Sequence, residues 1–427
     1  MSRKLDSHVR LAGIMLFIVT LLLSACGAPS AAPTTKAPAA PAQSASAPAA
    51  SAQPSSAAPA SETIKWGALD GLTGNIASVS VPAQEGAQVA VAKINAAGGI
   101  KVGGKSYKIE LVTYDNRGDP KESVAGAEKL ISRDGVKVIV GPSFSVATQP
   151  TQEITNRDKV ILLTPAQIVE SYLDKPDKKW IVKSLVGEAP PYGKAVFMPA
   201  YASKELNLKS IAIASPNDEV GTTIAKQYKE GFEKAGVKVT AVELFDRKAA
   251  DYYPELTRIK ATNPEALGVA YVDEDGKKWF RQAVELGITK KLVGISSMTP
   301  AAIAGIEDKI TDYVISYATK NLANDTPQIK QFKDEYKQLF GRDLDASKFA
   351  LLYYYEPIQM LVKAMEKAGT VTDTDKIIDA LRGSEFKGVM TYTALKDQGL
   401  LAHGFDAAHI TYPGGKATFS SLGLGAQ

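Results

Sequence analysis

Strand-like and helix-like segments alternate along most of the chain, in two successive runs. The first run lies within residues 62–184 and the second within residues 185–315. Strand–helix units with short connections imply parallel sheets that carry helices on both faces. One hydrophobic core rarely serves a folded part as long as residues 62–427. The pattern therefore predicts an α/β protein with two doubly wound parallel-sheet lobes.

Apolar periodicity and helix-ending residues define the individual elements. Asp119 is expected to cap a helix with Pro120 at its first position, and Gly236 to end one. The predicted strands are 64–69, 107–114, 138–140, 160–163, 210–214, 237–244, 266–272, 292–295, 389–393 and a final one near 409–412. The other predicted helices are 82–97, 221–235, 253–261, 277–286, 328–340, 349–367 and 376–381.

The segment GPSFSVATQP, residues 141–150, stands where a predicted strand ends and a polar, helix-compatible run begins. Free backbone N–H groups collect at the amino end of a helix and suit an anionic or polar ligand. Two interpretations of Ser145 are open at this point: it caps the helix, or it binds a ligand.

Ligands of open parallel sheets bind outside the carboxyl ends of the strands. The loops that qualify are 72–79, 143–146 and 166–169 in the first lobe, and 272–273 with 296–297 in the second. A site between the lobes would use all of them. The tyrosines at 353–355 suggest a stacking platform or simple packing, and packing is favoured because tyrosine rings bury readily.

The first 61 residues are not expected to belong to the fold. Residues 1–26 have a basic start and an apolar run at 11–23, which is shorter than the about 20 residues of a membrane span and typical of an export signal. The run ends in LSAC, which resembles a bacterial lipoprotein signal with Cys26 as the lipidated residue. Residues 27–61 are almost entirely Ala, Pro, Ser and Thr, a composition that cannot bury enough apolar surface to fold. We predict a cleaved signal peptide, a lipid anchor and a disordered tether.

Charge and motif content exclude several classes of protein. The 50 basic and 46 acidic residues are nearly balanced, which leaves no electrostatic footprint for nucleic acid. With one cysteine and three histidines, the chain has neither an internal disulfide nor a metal-spaced cluster. Hydrolase elbows, P-loops and zinc-protease motifs do not occur either. No cofactor, metal, nucleic-acid partner or catalytic residue is expected.

Several motifs together resemble one family. IKWGALDGLTGN, AVAKINAAGGI, ELVTYDNRGDP, GVKVIVGPSFSVATQP and WFRQAVELG are similar to segments of the type I periplasmic binding proteins, in the branch that binds branched-chain amino acids for ABC transporters. The resemblance implies a clamshell with a three-crossing hinge, which closes over a small ligand. It assigns residues 62–184 and 316–387 to lobe 1, and residues 185–315 and 388–427 to lobe 2.

The resemblance also implies the ligand-binding residues. Ser145 matches the serine that holds the ligand carboxylate, and the backbone of Ala166 and Gln167 would face the cleft. Ser296 stands where the family has the glutamate that pairs with an α-ammonium group. Apolar residues replace a threonine and three tyrosines of the family at Ile168, Val79, Val220 and Val272. The full expected set is Val79, Ser143, Phe144, Ser145, Ala166, Gln167, Ile168, Val220, Tyr271, Val272, Asp273 and Ser296.

The change at Ser296 bears on the ligand, because a buried ammonium without a paired charge costs several kcal/mol. Unless Asp273 or a neighbouring acid takes over, we expect a small ligand with a carboxylate, amide or other polar head at Ser145 and an apolar body against Val79, Ile168 and Val220. The resemblance implies an extracytoplasmic, monomeric receptor that is anchored only by lipid and serves an ABC permease and ATPase. A sensor for a signalling partner is the alternative, and a hydrolase of a small amide or ester is a weaker one.

Overall fold

The computed structural model describes residues 61–74, 76–166, 179–188, 193–247, 249–271, 273–296, 298–317, 319–397 and 399–422. The predicted signal peptide, Cys26 and the tether lie outside the described residues, as do Gln167, Ile168 and Val272. Of Tyr271 and Asp273 the backbone alone is described. Within the described ranges, every helix is too short or too polar to cross a bilayer.

The first sheet has the strand order β2-β3-β1-β4-β5-β6. Its pairs are parallel except for the antiparallel pair β2–β3. Its strands are β1 (Ser61–Asp70), β2 (Ile100–Val102), β3 (Lys105–Asp115), β4 (Val138–Val140), β5 (Ile161–Thr164) and β6 (Ile181–Lys183). Its helices from the same stretch are α1 (Ala77–Ala96), α2 (Pro120–Ser132) and α3 (Ser145–Arg157).

The second sheet is built around five parallel strands in the order β11-β10-β9-β7-β8. These strands are β7 (Ser210–Pro216), β8 (Lys238–Phe245), β9 (Ala266–Tyr271), β10 (Lys291–Ser296) and β11 (Asp312–Ser316). Its helices are α4 (Lys194–Leu206), α5 (Glu219–Lys234), α6 (Tyr253–Ala261) and α7 (Asp273–Glu285).

The rest of the chain returns to the first sheet and then to the second. The helices that follow are α8 (Pro327–Phe340), α9 (Leu352–Ala368) and α10 (Thr374–Leu381). The last strands are β12 (Glu385–Phe386), β13 (Tyr392–Ala394), β14 (Leu401–His403), β15 (Phe405–Thr411) and β16 (Lys416–Leu422). Strands β12 to β14 form a small antiparallel sheet, whereas β15 and β16 extend the second sheet beside β11.

Both large sheets are buried on their two faces. In the first lobe, α1, α8 and α9 cover one face, and α2 with α3 covers the other. In the second lobe, one face packs against α6 and α7 and the opposite face against α4 and α5. Strands such as β4 and β5 are buried throughout, as expected for parallel strands between two layers of helices. The predicted α/β fold with two doubly wound lobes is confirmed.

Local signals placed most elements well. The Asp119 side chain accepts the N–H groups of Lys121 at 2.7 Å and Glu122 at 3.0 Å, with Pro120 at the start of α2. The strand predicted at 389–393 is confined to β13, because the Glu356 carboxylate accepts the N–H groups of Val389 and Met390, the latter at 2.8 Å. A backbone N–H bound to a side chain cannot join a strand ladder.

The chain between 388 and 403 packs with the first lobe rather than the second. Met390, Tyr392 and Leu401 belong to the hydrophobic cluster around α1 and α9, and Leu400 bridges to Lys183 of β6. Phe405 is the first residue after this stretch to join the second core. The expected boundary between lobe 1 and lobe 2 was at residue 388. From this packing we propose that the boundary lies near Gly404 instead.

The described chain passes between the two sheets after β6, after β11 and after β14, and these crossing segments are bonded to one another. Val186 N–H donates to Nε2 of the buried His403 at 3.1 Å. Burial lowers the pKa of His403 to about 4, so its imidazole is neutral near pH 7, with Nδ1–H donating to Gly404 O at 2.6 Å. Asn321 N–H donates to Asp406 Oδ2 at 2.9 Å. Hydrogen bonds thus connect the first crossing to the third, and the second crossing to the start of β15.

The buried carboxyl of Glu356 is expected to make stability depend on pH. Burial raises the pKa of its carboxyl from 4.5 to about 7, against the N–H groups of Met390 and Val389, which lower it. The stability from this group is present in full below the unfolded pKa and is lost as pH rises through the folded pKa. We expect the fall in unfolding free energy between pH 5 and pH 8 to be about 2–3 kcal/mol smaller in Glu356→Gln than in the wild type. Urea titrations at both pH values measure it, and equal falls would contradict the assignment.

Candidate ligand-binding site

Asp70 fixes the loop that follows β4 in the first lobe. It ends β1 and is fully buried, and its carboxylate accepts Ser143 N–H at 3.0 Å and Ser143 Oγ–H at 2.6 Å. Gln84 Nε2 donates to the same carboxylate at 3.3 Å. Burial raises the pKa of Asp70, and the donors from Ser143, Ser80 and Gln84 oppose that rise. The loop after β4 is therefore anchored to the carboxyl end of β1.

The same loop is tied to helix α9. Ser143 Oγ lies 2.9 Å from the hydroxyl of Tyr354, which is fully buried, and burial raises the pKa of that hydroxyl well above its usual value. Tyr353 and Tyr355 are buried as well. The packing interpretation of the three tyrosines is confirmed, and Tyr354 in addition holds the loop after β4.

Ser145 is the first residue of α3 and is 4% exposed. The N-cap position belongs to Phe144, which has an extended backbone and makes no side-chain cap bond. The interpretation of Ser145 as the N-cap is therefore wrong. Because α3 begins directly after the β4 loop, its positive amino end lies at the carboxyl edge of the first sheet.

The loop after β5 is joined to the loop after β4. Thr164 Oγ1 donates to Pro142 O at 2.7 Å and accepts Ala166 N–H at 3.1 Å. Ala166 is buried beside this bond. Val79 lies in the first turn of α1, where it is half-buried and packs on the core of the first lobe. The structure thus brings Ser143, Phe144, Ser145 and Ala166 to one edge of the first sheet.

The expected residues of the second lobe lie at the matching edge of the second sheet. Tyr271 ends β9, Asp273 begins α7 and Ser296 ends β10. Val220 lies in the first turn of α5, and its side chain is 5% exposed within the core under that helix. Val220 therefore packs as a core residue.

A buried polar cluster lies at the carboxyl end of β10. It consists of Glu188, Lys194, Tyr228 and Ser296, and we call it the Glu188–Lys194 cluster. Lys194 Nζ lies 2.8 Å from Glu188 Oε1, with the side chains 1% and 3% exposed. Tyr228 OH donates to Glu188 Oε2 at 2.7 Å, and Ser296 Oγ donates to Glu188 Oε1 at 2.9 Å. Burial and the neighbouring Glu188 raise the pKa of Tyr228 well above its usual value.

The backbone of Ser296 takes part in this cluster. Its carbonyl accepts Lys194 Nζ–H at 3.1 Å. Its φ is 67°, in the left-handed region that costs a non-glycine residue about 1–2 kcal/mol. Strain of this kind persists where the surroundings over-determine the conformation, and functional sites are frequent examples.

Sequence reasoning missed Asp70, Glu188 and Lys194, and it missed the hydrogen bond between Tyr354 and Ser143. Asp70 has a usable signal, since it directly follows the predicted strand 64–69 and precedes a glycine. Glu188 and Lys194 have none, because their partner Ser296 is more than a hundred residues away along the chain. Within the described residues, His, Cys, Asp and Glu side chains form no group of three or more that could hold a metal ion.

Comparison with known proteins gives a consistent result. The profile of the periplasmic binding protein family matches residues 63–416. The leucine-, isoleucine-, valine-, threonine-, and alanine-binding protein of Pseudomonas aeruginosa is 26% identical over 331 residues, which are 77% of this chain and 84% of that protein.

Two solved structures are similar in fold. The branched-chain amino acid transporter substrate binding protein LivJ of Streptococcus pneumoniae, in complex with isoleucine, has a TM-score of 0.68 at 23% identity and covers 85% of this chain and 100% of its own. A solute binding protein of an ABC transporter from Rhodopseudomonas palustris, in complex with p-hydroxybenzoic acid, has a TM-score of 0.71 at 19% identity. The match covers 85% of this chain and 98% of that protein chain.

Proposed function

Because the chain belongs to the periplasmic binding protein family, we propose that it captures a small organic solute between its two lobes and delivers it to an ABC importer. The named relatives are binding proteins, which places the chain with binding proteins rather than enzymes. The observation that carries the proposal is the pair of matching sheet edges, one with the Ser143–Ser145 loop and one with Ser296. Ligands of such sheets bind at these edges.

The first lobe supplies the polar pole of the site. Ser145 and the amino end of α3 suit a carboxylate or an amide oxygen, because backbone N–H groups and the helix dipole favour negative charge there. The side chain of Val146 is 50% exposed next to Ser145 and offers an apolar surface. We infer a ligand with a carboxylate or amide head and an apolar body.

The names of two similar proteins include both amino acids and an organic acid as ligands. The Pseudomonas protein binds amino acids by its name, and the Rhodopseudomonas structure holds an aromatic acid without an amino group. Ser296 carries no charge, and the carboxylate behind it is already paired with Lys194. These features favour an organic acid or amide over a free amino acid.

The family also supports a place outside the cytoplasm. We propose that the mature chain is a monomer that begins at a lipidated Cys26, with residues 27–61 as a spacer between the membrane and the receptor. Mass spectrometry of the protein from membranes would detect the lipid on Cys26. An unmodified amino terminus upstream of Cys26 would contradict the anchor without touching the ligand assignment.

Calorimetric titration of the purified protein tests the ligand class. The panel is p-hydroxybenzoate, benzoate, 4-methylpentanoate, 4-methylpentanamide, leucine and isoleucine. We expect at least one of the acids or amides to bind, and both amino acids to bind more weakly. Binding of leucine with a tighter Kd than every acid and amide would overturn the ligand class. No heat and no thermal shift with the whole panel would count against the receptor function as proposed.

Ser145 is expected to contribute directly to affinity. In Ser145→Ala the loss of a buried hydroxyl should weaken the binding of the acid by about 1–3 kcal/mol, which raises its Kd about 5- to 150-fold. Ser132→Ala is the matched control, because Ser132 is exposed and bonds within its own helix to Glu128 O at 2.6 Å. Equal Kd values for the two variants would move the site away from this loop.

A further inference from the structure

The Glu188–Lys194 cluster places two opposite charges beneath the carboxyl end of β10. Glu188 Oε1 accepts both Lys194 Nζ–H and Ser296 Oγ–H, and Glu188 Oε2 accepts Tyr228 OH. Lys194 in turn donates to Ser296 O. Every contact of this carboxylate within the described residues is therefore a donor from the protein itself.

A buried carboxylate with this surrounding is electrically compensated. Were it unpaired, its charge would attract a cation over several ångströms, because effective screening inside a protein is weak. Paired with an ammonium at 2.8 Å, the two charges largely cancel beyond the immediate contact. A solute that lies near Ser296 therefore meets no net charge from this pair.

We propose that the Lys194–Glu188 ion pair determines specificity at the second-lobe pole of the site: Lys194 neutralises the carboxylate that would otherwise attract a ligand ammonium, so solutes without an amino group are selected. This inference rests on the proposed receptor function. It names as specificity residues two side chains that need not touch the ligand, since both are buried under Ser296. The selection acts through net charge.

Either charge of the ion pair can be removed alone. The two single substitutions are expected to favour ligands with additional groups of opposite charge. Lys194→Met leaves the Glu188 carboxylate without its cation and should favour a ligand that carries an ammonium. Glu188→Gln leaves the Lys194 ammonium without its anion and should favour a ligand that carries a second carboxylate. Glu188→Gln/Lys194→Met removes both charges and serves as the control.

The experiment uses matched solutes: 4-methylpentanoate, leucine, which adds an α-amino group to that skeleton, and the dicarboxylate 3-methyladipate. Titrations with the full-length protein and its variants give the ratio of Kd values for each pair. We expect Lys194→Met to shift the ratio toward leucine by about 10-fold or more, and Glu188→Gln to shift it toward the dicarboxylate by a similar factor. The double variant should keep the preference of the wild type.

The outcomes separate this inference from the receptor function. If the wild type binds 4-methylpentanoate or another acid of the panel and neither single variant changes its preference, the inference fails and the receptor function stands. If one single variant does not fold, the shift of the other decides alone. If the wild type binds leucine and Asp273→Asn abolishes that binding, an amino group is held by Asp273 and the inference is overturned.

Discussion

Glu188→Ala is expected to lower the free energy of unfolding by about 3–5 kcal/mol, because it leaves the Lys194 ammonium buried without its partner. The loss includes the hydrogen bonds that Tyr228 and Ser296 donate to the same carboxylate. Each of these hydroxyls is then buried without its acceptor, at about 1–3 kcal/mol for a group that finds no substitute. Denaturant titration at pH 7, followed by circular dichroism, measures the difference.

A surface pair of similar length provides the control. Lys229 and Glu233 lie one turn apart on α5 with their charged atoms 2.6 Å apart, but both side chains are 45% exposed. Glu233→Ala should change stability by about 0.5 kcal/mol or less, since exposed pairs are screened by solvent. A second variant, Glu188→Leu/Lys194→Met, replaces the buried pair by apolar groups and should recover the part of the loss that comes from the unpaired Lys194 ammonium, but not the part that comes from the hydroxyls of Tyr228 and Ser296. A loss in Glu188→Ala as small as that of the control would mean that water reaches the pair.

The position of Glu188 gives this pair a further structural role. It directly follows the first crossing segment, in which Val186 is bonded to His403 of the third crossing. On its other side it is bonded to Ser296, at the carboxyl edge of the second sheet. A displacement of Ser296 would therefore pass through its bond with Glu188 to the neighbouring crossing segments.

Elements with strong local signals were predictable from the sequence. Helix α6 has the predicted bounds, and the cap at Asp119 follows from side-chain chemistry within three residues. The carboxyl edges of β1, β4 and β10 were also predictable, because a parallel sheet brings strand ends to one side. Most of the candidate site residues that the structure describes lie at these edges for this reason.

Features that depend on distant partners were not predictable. Strand β15 pairs with β11, about ninety residues earlier, and its antiparallel direction has no local signature. Helix α4 was not predicted because Pro199 lies inside it, and proline usually breaks a helix at an interior position. Val220 was assigned to the ligand from the resemblance, but its place on the buried face of α5 is set by packing against that lobe's core.

Gly141→Ala is expected to destabilise the first lobe strongly and to disturb the loop after β4. Gly141 has a φ of +103°, and a Cβ on it would lie 2.0 Å from the backbone oxygen of Leu69. A left-handed conformation costs alanine about 1–2 kcal/mol, and the clash with rigid backbone adds about 1–3 kcal/mol. The loop can relieve the clash only by leaving the carboxyl end of β1, which stretches the bonds between Ser143 and Asp70.

The test compares Gly141→Ala with Gly236→Ala. Gly236 ends α5 with a φ of +78°, and no atom lies within 4 Å of a Cβ added there, so it isolates the backbone conformation from the clash. We expect Gly141→Ala to lose about 2–5 kcal/mol of unfolding free energy and Gly236→Ala about 1–2 kcal/mol. Ligand affinity should fall in Gly141→Ala alone, because the displaced segment leads into Ser145. If the two variants lose equal stability and keep equal affinity, the loop after β4 is not held by this close approach, and the binding site does not depend on where Gly141 places it.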